Sequence, residues 1–204
     1  MTVLTSLGHS CFKLTANNGW TAVFDPYQDG SVPGLRLPRV TADAVYTSHD
    51  HHDHNAADLV EIRKCHEMPY QVSTLLTDHD EEGGKLRGRN LIHILSDGHE
   101  TIAHLGDLGR MLEKEERQAL SSADVILIPC GGYYTIDARQ ARKIIDEIQP
   151  GLAILMHYRN GAAGYEVLNS LDEIRAVIPE LQCLAQSSIE IHSAKGIITL
   201  VPQQ

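Results

Sequence analysis

A cluster of histidine and aspartate residues lies in one short segment, residues 46–60, with the sequence YTSHDHHDHNAADLV. Within it, His49, His51, Asp53 and His54 follow the spacing H-x-H-x-D-H. Neutral imidazole and carboxylate groups are ligands that zinc, iron and manganese accept. Because the segment joins a predicted strand to a predicted helix, the bend between them can turn alternate side chains into one cavity. The spacing therefore predicts a metal site.

Three further groups of the same kind stand at the ends of predicted strands. His79 follows QVSTLLTD, Asp107 follows IAHLG, and His157 comes directly after LAILM. The ends of neighbouring strands lie on one rim of a layered α/β sheet, where functional sites are usual. The convergence of these strand ends with the one before His49 predicts that the three side chains complete the metal site.

Several other residues have both a functional and a structural interpretation. His104 would either hydrogen-bond a substrate or a ligand carboxylate, or pack within a strand. Asp25 would either accept a hydrogen bond from a ligand imidazole or form an Asp-Pro turn. His9 would lie at the edge of the site or form part of a turn. Structural or surface roles are assigned to His66, His93, His99 and His192.

The loop after His79 and the segment IPCGGYYT raise two more alternatives. Arg87 and Arg89 could clamp a phosphate beside a metal site, but loop packing or a surface ion pair is the favoured interpretation. Tyr133 and Tyr134 could contact a substrate, whereas a tight turn would by itself explain the two glycines before them.

The elements that must position these groups alternate between strands and helices, which is typical of a mixed α/β layered fold. Strands are predicted over residues 2–6, 10–15, 20–26, 42–48, 71–78, 90–97, 100–107, 123–130 and 152–158. Helices are predicted over residues 55–65, 113–121, 138–148 and 165–178. The first would have Asn55 as its N-cap, and Asp137 with Gln140 resembles a capping box for the third. Residues 188–194 and 196–202 read as a closing hairpin.

Composition limits the classes of partner. The chain has 204 residues, 42% of them hydrophobic, and a formal net charge of -10, which fits a single domain over residues 1–204. The acidity argues against broad binding to nucleic acid or an anionic membrane, since both favour a basic surface. The N-terminus lacks a signal-peptide pattern, and the four widely spaced cysteines are predicted to be reduced and buried. We therefore expect a cytoplasmic protein.

Here the sequence resembles a family. HDHHDH matches the signature of the metallo-β-lactamase-fold hydrolases. DPY at 25–27, HLGDLG at 104–109, IPCGGYYT at 128–135 and LMHY at 155–158 resemble more narrowly the branch that contains ascorbate-6-phosphate lactonase and uncharacterised metal-dependent hydrolases. The resemblance covers nearly the whole chain. It implies an α/β (α+β) fold, a four-layer αβ/βα sandwich of two mixed β-sheets flanked by helices, with the site at one edge between the sheets.

The resemblance also implies a ligand set for two divalent ions. One ion would take His49, His51 and His79, the other would take Asp53, His54 and His157, and Asp107 would bridge both. Zinc is the expected metal, with manganese or iron as alternatives. Asp53 and His104 are the candidate catalytic residues. Histidine at position 51, where the oxygen-reducing diiron branch usually has glutamate, argues against that branch.

The expected function is a binuclear metal-dependent hydrolase acting on a small ester, lactone or phosphodiester, with or without a further phosphate. An iron-dependent redox enzyme that uses dioxygen at the same ligands is the alternative. A non-catalytic metal module is disfavoured, because structural zinc sites are usually closed by four ligands. The expected partner is a small molecule, with no nucleic acid and no membrane. A homo-oligomer is expected because the related lactonases form multimers.

Overall fold

Two mixed β-sheets pack face to face in the computed structural model, which describes residues 1–203. The strands are β1 (Val3–Gly8), β2 (Cys11–Thr15), β3 (Thr21–Phe24), β4 (Val40–Ala42), β5 (Ala44–Tyr46), β6 (Val60–Ile62), β7 (Gln71–Asp78), β8 (Arg89–Ser96), β9 (Thr101–His104), β10 (Val125–Pro129), β11 (Leu152–Met156), β12 (Gln182–Cys183), β13 (Ser188–Glu190) and β14 (Gly196–Thr199). The helices are α1 (Lys114–Leu120), α2 (Ala138–Ile148) and α3 (Leu171–Val177).

Strand direction brings several strand ends to one edge of the molecule. The first sheet has the order β13-β1-β2-β3-β5, and the second has the order β12-β14-β11-β10-β9-β8-β7. Strands β7 and β9 both pair antiparallel with β8, while β9, β10 and β11 pair in parallel. Strands β7, β9 and β11 therefore point the same way, and the side chains that follow them share one rim.

Alternating hydrophobic residues fill the space between the two sheets. Phe12 and Phe24 of the first sheet belong to the same buried cluster as Leu127 and Ile154 of the second. On the other face of the second sheet, α2 buries a stripe at helical spacing, made of Ala141, Ile144, Ile145 and Ile148. Among residues 1–203, no helix is long and apolar enough to cross a bilayer.

The outer face of the first sheet has a different cover. Val23 and Leu7 pack there against Tyr27, Val40 and Val60, which belong to a loop and to the small parallel sheet β4-β6. The described residues place no α-helix in that cluster. The mixed α/β fold class is confirmed, with one outer layer built from short strands and loop.

The helix predicted over residues 55–65 is wrong. Only a 3-10 turn forms, at Ala57–Leu59, and β6 follows it at once. Asn55 caps no helix; its side-chain amide donates to Asp50. Pairing of Val60 with Val40 in the β4-β6 sheet, together with burial of Val60, outweighs the local helix signal.

The predicted closing hairpin is also wrong, because its two arms join different sheets. Strand β13 pairs antiparallel with β1, whereas β14 pairs in parallel with β11. The last predicted helix is shorter than expected and begins after Ser170, which forms a capping box with Glu173. By contrast, the capping box of Asp137 and Gln140 is confirmed: Asp137 Oδ1 accepts from the Gln140 amide at 2.8 Å.

All four cysteines are free thiols. Cys11 and Cys130 are buried, as predicted, but Cys65 and Cys183 are exposed. The prediction of burial fails for these two because β12, which contains Cys183, and the segment after β6, which contains Cys65, lie at the periphery of the sheets.

Gly106 allows the chain after β9 to approach its neighbours closely. Its φ is 56°, in the left-handed region, and an added Cβ would lie 2.3 Å from Asn90 Oδ1 and 2.5 Å from Ser48 Cβ. The next residue, Asp107, donates its backbone N–H to Asn90 Oδ1 at 2.8 Å. Only glycine leaves room for this arrangement without strain.

The substitution Gly106→Ala should lower the free energy of unfolding by about 3 kcal/mol, since overpacking adds to the cost of a left-handed L-residue. Gly161→Ala is the matched control, because Gly161 has a φ of 59° and nothing within 4 Å of an added Cβ. The control should lose only about 1 kcal/mol. Urea denaturation measures both values, and equal losses would contradict the packing argument.

Candidate metal centre

All seven side chains predicted as metal ligands lie at the rim where strands of both sheets end. Their ligand atoms form two groups, in each of which all atoms lie within 4.8 Å of one another. The first group contains His49, His51 and His79, and the second contains His9, Asp53, His54 and His157. A third set, His49, His54 and Asp107, links the two. The division matches the one that the sequence resemblance implies, with His9 added.

Asp107 lies between the two groups. Its Oδ2 atom is 3.1 Å from His157 Nε2, 3.2 Å from His54 Nε2, 3.4 Å from His79 Nε2 and 3.9 Å from His49 Nε2. The Asp107 side chain is only 2% exposed, so water cannot screen its charge. A single carboxylate therefore faces donors from both halves of the centre, as a bridging ligand would.

The donor atoms fit a cation better than they fit one another. The Nε2 atoms of His49, His54 and His157 are buried and make no hydrogen bond of normal geometry, and neither does Asp107 Oδ1. Leaving buried polar atoms unpaired costs about 1–3 kcal/mol each. Imidazole nitrogens and carboxylate oxygens that converge in this way are the usual donor set for zinc and similar ions.

Burial keeps His49 and His79 neutral, which leaves a lone pair on each imidazole free for a metal. It lowers the pKa of His49 to about 3 and that of His79 to about 4, with further lowering by neighbouring imidazoles. Burial alone would raise the pKa of Asp107, but the charges of His157 and His54 hold it well below its usual range. For His54, the carboxylates of Asp107 and Asp25 overcome burial and raise the pKa.

Asp25 orients His54 through Nδ1, the ring nitrogen on the side away from Asp107. Asp25 Oδ2 accepts from His54 Nδ1 at 2.9 Å, and Ser48 donates its backbone N–H and its hydroxyl to the same carboxylate at 2.6 and 2.7 Å. Ser48 Oγ also lies 2.9 Å from His49 Nδ1. These bonds turn the Nε2 atoms of both histidines towards Asp107, which is how outer partners commonly orient ligands.

Backbone strain collects at this rim. His9, Asp25 and His157 have φ values of 54°, 44° and 55°, and each comes directly after a strand. L-residues adopt this left-handed region at a cost of about 1 kcal/mol or more. The conformation turns each side chain away from the direction that the strand would impose and into the site.

His9 belongs to the cluster, although the sequence left its role open. Its side chain is fully buried, and Nε2 lies 3.4 Å from Asp53 Oδ2. Its ring is 4.1 Å from the His157 ring. The Gly8-His9 bend was the only sequence signal, and it does not show which side chains the bend faces.

His104 does not reach the site cavity. Its Nε2 donates to the Ser10 carbonyl at 2.9 Å, and its Nδ1 accepts from the Gly106 amide at 3.2 Å. The ring stacks on Phe24 with 5.1 Å between centroids. These contacts favour the structural interpretation, in which His104 supports the turn before Asp107; its catalytic assignment stays a prediction without geometric support.

A cavity of about 250 Å³ opens above the two groups. Besides ligand side chains it is lined by Arg87, Tyr134 and Tyr165. The Tyr165 hydroxyl lies 3.2 Å from Asp53 Oδ2; the sequence missed this residue because it was placed in a helix. A larger apolar groove of about 1090 Å³ lies elsewhere, around Leu35, and contains none of the seven side chains.

The chain is similar to known proteins along most of its length. Residues 3–157 match the family model described as a beta-lactamase superfamily domain. A metal-dependent hydrolase from Carboxydothermus hydrogenoformans is 29% identical over 191 residues, covering 76% of this chain and 84% of that protein. The residues matched by the family model, 3–157, include every residue of the two ligand groups.

Two solved structures share the fold. A protein from Thermotoga maritima, assigned as a zinc-dependent hydrolase of the metallo-beta-lactamase superfamily, superposes with a TM-score of 0.74 at 24% identity, covering 98% of each chain. A metallo hydrolase from Ignicoccus hospitalis has a TM-score of 0.67 at 16% identity, covering 100% of this chain and 96% of the other. At these identities the likeness bears on the fold alone.

The free energy of unfolding of the metal-free protein should fall as the pH falls from about 6.5 to about 4. Burial lowers the folded-state pKa of His9 and His79 to about 4 and that of His49 to about 3. In this window the unfolded chain binds protons that the folded chain does not, so each histidine contributes at most about 1.4 kcal/mol per pH unit. The stabilising contribution is complete above the unfolded-state pKa.

Urea denaturation at a series of pH values measures this slope. The His79→Asn variant should show a shallower slope, because one of the buried imidazoles with a lowered pKa is gone. His52→Asn removes an exposed histidine of the same segment that belongs to neither ligand group, and is the control. An unchanged slope in His79→Asn would contradict the assignment.

Proposed function

Since the chain belongs to the beta-lactamase superfamily, we propose that it is a metal-dependent hydrolase that binds two metal ions. The observation that carries the proposal is the position of Asp107 Oδ2, within 3.1–3.9 Å of histidine Nε2 atoms from both ligand groups. His49, His51 and His79 would hold one ion. Asp53, His54 and His157 would hold the other, and Asp107 would bridge them.

Several side chains around the proposed metal centre would have distinct roles in the reaction. When bound, two divalent ions lower the pKa of a nucleophilic water and stabilise developing negative charge. Asp53, whose carboxylate faces the cavity, would orient this water and accept its proton. His9 Nε2 at 3.4 Å and the Tyr165 hydroxyl at 3.2 Å restrict the rotation of the Asp53 carboxylate. Asp25 keeps His54 directed at the centre.

The cavity supports a small substrate. Its volume of about 250 Å³ is slightly below the range usual for drug-sized ligands. We propose an ester, lactone or phosphodiester as the bond that is hydrolysed. Hydrolysis of β-lactams is not proposed as the physiological task, because a shared fold does not determine the substrate.

The purified protein should contain about two metal ions per chain, with zinc as the expected ion and manganese or iron as alternatives. Mass spectrometry on untagged protein prepared without chelators measures this content. Replacing Asp107 by Asn should reduce it, because both ions lose a shared ligand. Asp50→Asn changes an exposed carboxylate in the same segment and should leave the content unchanged.

A metal content of zero after soaking with zinc and manganese would contradict the site. Tightly bound iron together with oxygen uptake and no hydrolysis would replace the hydrolase by the redox alternative. Binding of metal without turnover of any ester, lactone or phosphodiester would favour a non-catalytic module.

The Asp53→Asn variant should lower kcat by about 100-fold or more, which is the usual contribution of a proton-transferring side chain. Asn keeps one oxygen for the metal but cannot accept the proton. Turnover is measured at saturating metal, with metal content determined on the same sample. Full turnover with both metals bound would contradict the proton-transfer role of Asp53. Asp50→Asn serves again as the control.

A further inference from the structure

We propose that Arg87 binds an oxyanion group, a carboxylate or a phosphate, that the substrate carries beside the bond to be hydrolysed. This inference rests on the proposed hydrolase function and adds the class of substrate. Arg87 lines the cavity above the candidate metal centre together with His79, Asp107 and Tyr134. A group held by Arg87 would therefore lie next to the reacting centre.

Two aromatic rings flank the Arg87 guanidinium. The Arg87 guanidinium carbon lies 5.7 Å from the Tyr134 ring centroid and 6.0 Å from that of Tyr133. A guanidinium over an aromatic face at this range is attracted by the negative face of the ring. These contacts involve no N–H group of Arg87 in a hydrogen bond, so its donors stay available for a ligand.

The backbone that carries Arg87 is rigidly held. One buried carboxylate, that of Asp80, accepts four backbone N–H groups, from Glu82 at 2.8 Å, Gly84 at 2.9 Å, Leu86 at 2.9 Å and Arg87 at 2.8 Å. Asp80 directly follows His79, which is in the first ligand group. The distance between the Arg87 backbone and the metal centre is therefore set before a substrate arrives, which lowers the entropy cost of binding.

Arg87 also has an unused charge. Among residues 1–203 its side chain makes no hydrogen bond and no ion pair, whereas Arg89 and Arg110 both pair with Asp78. A guanidinium offers a planar fork of donors that matches a carboxylate or a phosphate. Because the whole chain carries a net charge of -10, a local cation is what would allow a small anion to settle here.

Matched 4-nitrophenyl esters test the proposal on the metal-loaded full chain. The mono-ester of succinate carries a carboxylate, the ester of 3-phosphonopropanoate carries a phosphonate, and the butanoate ester is neutral. The wild type should prefer the anionic esters in kcat/KM. Arg87→Gln should reduce that preference about 10-fold, mainly through KM, and leave the butanoate ester unchanged, since the charged hydrogen bond to the anionic group is lost; a tenfold change corresponds to about 1.4 kcal/mol.

Arg89→Gln is the matched control. Arg89 lies two residues away and pairs with Asp78, and it does not line the cavity above the metal centre, so the preference should stay at the wild-type value. The anionic ester with the higher kcat/KM relative to the butanoate ester shows whether the site favours a carboxylate or a phosphate. An equal loss for anionic and neutral esters in Arg87→Gln would show that Arg87 only supports the tyrosines, and would overturn the proposal.

A binding measurement separates this proposal from the hydrolase itself. Calorimetric titration of the metal-loaded protein with succinate and with inorganic phosphate should give a dissociation constant about 10-fold weaker in Arg87→Gln than in Arg89→Gln. That weakening without hydrolysis of any ester would overturn the hydrolase and leave the anion site standing. Equal dissociation constants in the two variants would overturn the anion site, whatever the esters show.

Discussion

One carboxylate oxygen of Asp107 lies buried among imidazole nitrogens from both ligand groups, and the surrounding structure is arranged to hold that charge in place. Asn90 binds the backbone N–H of Asp107. Gly106 and Gly109 leave no room for a side chain: an added Cβ on Gly109 would lie 2.1 Å from the His79 carbonyl carbon. A buried carboxylate is tolerated only where cationic or donor groups compensate for lost hydration. The residues around Asp107 are therefore constrained as well, because they must supply these compensating groups.

The same requirement explains the strain at the rim. A regular strand directs its side chains above and below the sheet. Regular strands therefore cannot direct side chains from both sheets towards a single site at the rim. Left-handed backbone at His9, Asp25 and His157 makes this turn. Packing of the two sheets compensates for the strain, because the strands that lead into these residues are buried in the core between them.

The charge of the cavity differs from the charge of the chain as a whole. The chain is acidic overall, yet the cavity brings together imidazoles, two carboxylates that suit metal ions, and the guanidinium of Arg87, which has no ion pair among residues 1–203. Outside this cavity, Arg89 and Arg110 both pair with Asp78. Within residues 1–203, the Arg87 guanidinium therefore differs from these two neighbours in having no acidic partner, which is the basis of the proposed anion site.

The sequence by itself determined the parts that depend on local spacing. The ligand types at His49, His51, Asp53 and His54, the buried central strands and the capping box at Asp137 could all be read within a few residues. Tertiary structure decided the rest: β13 and β14 separated into two sheets, and β6 replaced a helix. Tyr165 meets Asp53 across 112 residues of chain. Such contacts depend on how distant strands pair and on which way a strained strand end turns, and neither is encoded by residue type at one position.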